Sequence, residues 1–524
     1  MKQVGRHKAV SLRLAMLALA IVLAPLTAHG QGAKETLTAK ESQAAKDNGT
    51  IRIVLTGDSI VNRKLSVYDD PASTGLFQVI RQSDAAFTNF ETLVHNYAYP
   101  GASQSGGAYM SSPEWIPGEL KWAGFNLLST ANNHAYDFGQ DGLLSTLRAL
   151  DEAGLAHAGT GANLSFARAP AYLDTKRGRV ALVAVASTFT EGSLAGEQRP
   201  DLPGRPGVNP LRFTTTYTVD QEEFQELQKV ARLARGGGGG EGQEEAGGPA
   251  QGRGRTPGQG QGQGQANGPS DAAGQAPGGQ AQGAERGQAA GGRGVRIGEL
   301  QFQVGDTPGV HTRLNPSDLA GLSASVKNAH SQAEWVIVSS HTHEGGQGQG
   351  TPPEFLVTAA HAAIDAGADV FVSHGPHTLK GIEIYKGKPI FYSLGNFIFE
   401  NETMLFQPAE SFDSLGLPSS ATVADFYDTR SGNDTKGFPV QRGVWESAVA
   451  EVSFNKDHTL DKITLTPISL GYLEPRSERG RPRLASPEQA KLTIDNLTKL
   501  SEPYGTKVVF NAGRGIVLGE TRQK

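Results

Sequence analysis

The chain has 524 residues, with 48 Lys and Arg against 53 Asp and Glu and a formal net charge of −5, which leaves room for two or three domains and a sizeable core. No basic stripe dominates any segment, so nucleic acid is excluded as an expected partner. The sequence contains no cysteine, which excludes disulfides, a lipid-modified thiol and thiolate ligands and leaves nitrogen and oxygen to hold any metal.

Lys2, Arg6, Lys8 and Arg13 stand ahead of an apolar run at 14–23, followed by Pro25 and small residues to Gly30. That layout predicts a secretory signal peptide over 1–30, hence an exported protein, periplasmic or extracellular. The alternative reading is an uncleaved segment that keeps the protein anchored to a membrane. Residues 31–49 are small and polar and read as a flexible lead-in. The first part of the globular domain is expected over 50–235. There the run at 51–55 predicts a strand that delivers Asp58 beside Gly57, where the backbone can turn sharply. Residues 85–87 predict a second strand, leading to Asn89 and Glu91, and 125–128 a third, leading to Asn133 and His134. Leu143, Leu147 and Leu150 have helical spacing over 140–153, with Gly154 as the stop. The apolar stretch 180–186 predicts a fully buried strand, and 221–235 a helix.

From 236 to 294 the chain is Gly, Gln, Ala, Pro and Arg with almost no large apolar residue. Such a segment cannot offset its ordering entropy by burial, and it predicts a disordered Gly/Gln-rich insertion in a surface loop. The second part of the domain is expected over 295–400. Asn315-Pro316 opens a helix to 332. A strand at 335–338 runs on to His341 and His343, and a helix at 355–366 stops at Gly367. The strand at 370–372 then releases His374 and His377 around Pro376, which restrains Gly375. Alone, that pair reads either as metal ligands or as one turn cap and one surface ring. A C-terminal extension, 401–524, completes the domain. It holds polar turns to 442, strands at 445–454 and 462–470, a helix at 486–500 and a closing hairpin at 507–518.

Asp58, Asn89, Glu91, Asn133, His134, His341, His343, His374 and His377 all fall just past short apolar runs. In an α/β sheet, residues beyond the carboxyl ends of the strands converge on one crevice. Carboxylate, amide oxygen and imidazole suit a divalent ion such as manganese, zinc or iron.

The motifs TGDSI (56–60), NFET (89–92), ANNHAYDFG (131–139), SSHTHE (339–344), HGPH (374–377) and FYSLGNFIF (391–399) occur in that order. On them the chain resembles the CapA family of poly-γ-glutamate and capsule synthesis proteins, whose fold is that of the calcineurin-like metallophosphatases. The resemblance implies an α/β fold with a layered β-sheet core flanked by helices. It also implies one or two divalent ions lined by Asp58, Glu91, Asn133, His341, His374 and His377. His134 is then the general acid and Asp137 its orienter, while Asn89, His343 and Asn396 are expected behind the ligands. Asn396 is expected to serve a tight turn with Gly395. The chain departs from the phosphatases proper, which begin with Asp-x-His: here Ser59 and Ile60 follow Asp58, and Glu91 stands in place of a bridging aspartate.

The function so implied is a metal-dependent hydrolase or transferase acting on an anionic polymer or a peptide substrate, beside a membrane-bound polymer synthase. The same cleft could instead serve a peptide epimerase, or a polymer-binding or assembly subunit without turnover.

Overall fold

Successive side chains of a strand point to opposite faces of its sheet, and here that alternation sorts the core into layers. In the strand Ile51–Ile60, Ile51, Ile53 and Leu55 enter one buried cluster while Val54 enters a second. In Gly178–Ala186, Val180, Leu182 and Ala184 join the first cluster, whereas Ala181, Val183 and Val185 enter a third. The first cluster therefore lies between two sheets packed face to face. The second holds Leu76, Phe77 and Ile80 of the helix Pro71–Arg81, and the third holds Leu322 and Val326 of Pro316–His330 with Phe355 and Leu356 of Glu354–Asp365. Helices thus cover both outer faces, and the layers run helix, sheet, sheet, helix.

The structure, a computed structural model, describes residues 50–236, 294–298, 300–348 and 350–519. The expected signal peptide at 1–30, the lead-in at 31–49 and the body of the Gly-rich segment, 237–293, lie outside the described residues. Among the described residues no helix is long and apolar enough to cross a membrane.

The first sheet has ten strands. At its centre Ile51–Ile60 pairs in parallel with Ala85–Phe90, which pairs in parallel with Leu127–Ser129. On the other side Ile51–Ile60 pairs antiparallel with Glu446–Phe454, and that strand with Leu460–Ser469. The tip of Ile51–Ile60 also takes Asn396–Phe399 as a parallel neighbour. The second sheet has six strands, with Trp335–His341 parallel to both Gly178–Ala186 and Val370–His374. Parallel strands buried on both faces read as continuous apolar runs, which is why these elements were visible in the sequence.

Two expectations need correction, and one sheet was not foreseen. The polar segment at 401–442 holds the helices Ala409–Asp413 and Val423–Ser431, the latter opened by a capping box between Thr422 and Asp425. An unexpected four-stranded sheet combines Phe213–Val219, Val295–Ile297, Leu300–Val304 and Gly309–Leu314. The expected strands at 51–55 and 335–338 also run on through Ile60 and His341, so both Asp58 and His341 lie inside strands.

Candidate metal centre

Strand register assembles the site. Asp58 is the direct partner of Asn89 on one side and of Asn396 on the other, and His341 is the direct partner of His374 in the second sheet. The central strand shifts register at Asp58, and Gly57 makes the shift possible. A Cβ at Gly57 would stand 1.7 Å from the Gly395 carbonyl oxygen, to which the Asp58 N–H donates at 3.0 Å. Only glycine fits there.

Around Asp58 the donors close in. His374 Nδ1 lies 3.2 Å from Asp58 Oδ1, His341 Nδ1 3.7 Å from the same oxygen, and His377 Nδ1 3.5 Å from Oδ2. The Asn89 side chain donates to Oδ1 at 2.8 Å and the Gly375 N–H to Oδ2 at 2.9 Å. Glu91 Oε1 faces His341 Nε2 at 3.8 Å and His134 Nε2 at 4.0 Å. Three overlapping groups could each hold a metal ion: Asp58, His341 and His374; Glu91, His341 and His343; Asp58, Glu91 and His377. His343, expected behind the ligands, stands among them, its Nε2 2.9 Å from His341 Nε2. The signal was available, because residues two apart in an extended chain share a face.

Neighbours orient each ring. Ser339 Oγ meets His374 Nε2 at 2.7 Å. His377, at φ +58, meets Asn396 Oδ1 through Nδ1 at 2.8 Å. Asn396 therefore steers an imidazole rather than a turn; it opens a strand, and Gly395, at φ +71, makes the turn. His134 Nδ1 sits 2.7 Å from Asp137 Oδ2, and the Asp137 carboxylate also accepts from the Gly106 and Met110 N–H groups. The His134 backbone N–H donates to Asn132 Oδ1, and the Asn132 amide donates to the Phe90 carbonyl. Ser339 and Asn132 were missed in the sequence. Ser339 lies two residues before His341 on the same strand face, whereas nothing in the sequence singles out Asn132 from Asn133.

The donor set fits a cation. Asp58, Glu91, His341 and His374 are fully buried, yet both Glu91 oxygens lack any hydrogen-bond partner, as does Asn133 Oδ1. Asn133 spends its NH2 on the Gly106 carbonyl, which leaves that oxygen free for a metal. Burial, and then the Asp58 charge, push the Glu91 carboxyl well above its ordinary value. Burial works the same way on Asp58, but hydrogen bonds from His374 and His377 and the histidine charges outweigh it and hold that carboxyl well below its ordinary range. Burial, and then His343, push His341 well below the usual imidazole value, and burial with His377 takes His343 to about 3. Burial thus favours the neutral form of both rings, the form in which imidazole binds a metal.

Comparison with known proteins agrees with the motif pattern. The sequence matches the model of the bacterial capsule synthesis protein PGA_cap over residues 52–401. It is 32% identical over 486 residues to the uncharacterized protein y4sH of Sinorhizobium fredii, covering 89% of this chain and 92% of that one. The capsule biosynthesis protein CapA of Bacillus anthracis is 22% identical over 363 residues, 68% of this chain and 61% of its own. The PGA biosynthesis protein CapA of Bacillus subtilis is 41% identical over 112 residues, 20% of this chain and 29% of its own.

Proposed function

The chain belongs to the bacterial capsule synthesis family PGA_cap, and from that premise we propose that it is an exported metal-dependent hydrolase or transferase of capsule-polymer synthesis. Its substrate is an anionic polymer of the poly-γ-glutamate type or a peptide, cleaved or transferred at a phosphate or an amide. The two facing sheets with helices outside suit a metallophosphatase-like fold, and Asp58, Glu91, Asn133, His341, His374 and His377, joined by His343, suit one or two ions of manganese, zinc or iron. One observation carries the reading: Glu91 is wholly buried among imidazoles, with neither oxygen satisfied by the protein.

A divalent ion held there supplies Lewis-acid polarisation of a scissile oxygen. The remaining work belongs to the chain. Asp137 accepts from His134 Nδ1, which fixes the ring so that Nε2 can deliver a proton to a leaving group. Asn396 and Ser339 lock the His377 and His374 rings, so that little reorganisation is needed when substrate arrives. The fully buried donors exclude bulk water from the reacting centre.

Cells carrying His134→Ala as their sole copy test this. An enzyme loses polymer output, whereas full output with normal protein level contradicts a catalytic role.

A further inference from the structure

The family match ends at residue 401, but the next forty residues return to the metal centre. The Phe438 ring packs 5.5 Å from His377 and 5.1 Å from Phe399, centroid to centroid. Behind it lies a cavity of about 150 Å³ lined by Asn401, Glu402, Arg430, Lys436, Phe438 and Gln441, among others. Asn401 is 2% exposed, and its side-chain oxygen has no hydrogen-bond partner. The half-buried Arg430 reaches from this cavity towards the acid. A Cβ on Gly107 would stand 3.8 Å from His134 Nε2 and 3.9 Å from Arg430 Nη2. Gly107 therefore has the His134 ring and the Arg430 guanidinium as neighbours.

That guanidinium makes no hydrogen bond or ion pair with any described residue. The nearby acids are already matched: Glu402 and Asp434 are held by Arg479, and Asp428 by Arg476. Arg430 and Lys436 are left as positive charge on the wall of this cavity with no ion-pair partner among the described residues. A planar guanidinium presents a fork of N–H donors suited to a carboxylate or a phosphate. We propose that Arg430, seconded by Lys436, forms an oxyanion subsite that seats a carboxylate or phosphate of the substrate beside His134. The subsite rests on the reading of the cluster as the reacting centre, and it makes the 402–442 segment the part of the chain that selects the substrate.

Calorimetric titration of the full chain tests this with two probes, γ-linked triglutamate and inorganic phosphate, with metal content and melting temperature measured on the same samples. Wild-type protein is expected to bind triglutamate, Arg430→Ala to bind it at least tenfold more weakly, and Arg430→Lys to fall between, all with unchanged metal content. Loss of triglutamate affinity alone assigns the subsite to carboxylate, and equal loss of phosphate affinity assigns it to any oxyanion. Wild-type protein that binds neither probe, or Arg430→Ala that binds both as the wild type does, overturns the inference. Wild-type protein that takes up no metal from manganese-supplemented buffer, but whose triglutamate binding still depends on Arg430, leaves the subsite standing and removes the metal reading.

Discussion

Glu91→Gln separates a metal ligand from a scaffold residue by the sign of its effect. Glu91 is fully buried with two unpartnered oxygens, and the Asp58 charge works against its ionisation. A buried polar group without a partner costs about 1–3 kcal/mol, and more when charged. Glutamine keeps the shape and cannot ionise, so the metal-free variant is spared the buried charge and should be at least as stable as metal-free wild type, by up to about 3 kcal/mol. With an ion present the order reverses. Binding at a hundred times Kd stabilises the wild type by about 2.7 kcal/mol, and the variant, short of a carboxylate ligand, gains little of this. The melting temperatures should therefore cross between chelator-stripped and manganese-loaded samples, each kcal/mol moving them by about 2 °C. Differential scanning fluorimetry reads both states directly. A variant that is less stable than wild type by the same amount with and without metal would refute the reasoning, because Glu91 would then serve the fold alone.

Other outcomes follow from single contacts. Gly57→Ala must push a Cβ into the Gly395 carbonyl, and should cost about 3 kcal/mol or more in urea unfolding; a change within the error of the measurement would mean the central strand can relax there. His95 is buried with neither nitrogen paired, and burial lowers it from 6.5 to about 4. The unfolded chain takes up its proton first as pH falls, so the stability it contributes is intact above 6.5 and is lost towards 4, on the order of 2 to 3 kcal/mol. His95→Leu should flatten the stability profile across that window, and an unchanged slope would count against this assignment. Asp137→Asn removes the acceptor that orients His134, and should lower polymer output about 10²-fold or more while leaving metal content as it was; unchanged output would detach Asp137 from the chemistry.

The parts of the site on buried parallel strands were legible because such strands are unbroken apolar runs, and whatever follows them gathers at one edge. Asp58, Asn89, His341 and His374 were found that way, and strand register brings them together. His343 falls in one of the candidate ligand groups because the strand, expected to stop at 338, continues to His341 and carries the alternation onward. Asn396 was read through turn preference, yet its amide meets His377 across nineteen residues, a contact no local pattern encodes. The four-stranded sheet at 213–219 and 295–314 escaped notice because its strands are short, Thr- and Gln-rich and largely exposed. Arg430 was invisible for a different reason. Its significance lies in the acids around it being matched to Arg476 and Arg479, and pairing of that kind exists only in three dimensions.

Diffraction at the manganese absorption edge, from crystals of the manganese-loaded protein, puts the whole account to one observation. An anomalous peak enclosed by Asp58, Glu91, His341 and His374 is the expected result. Peaks confined to the molecular surface, with those four side chains bare in a fully loaded crystal, would contradict it.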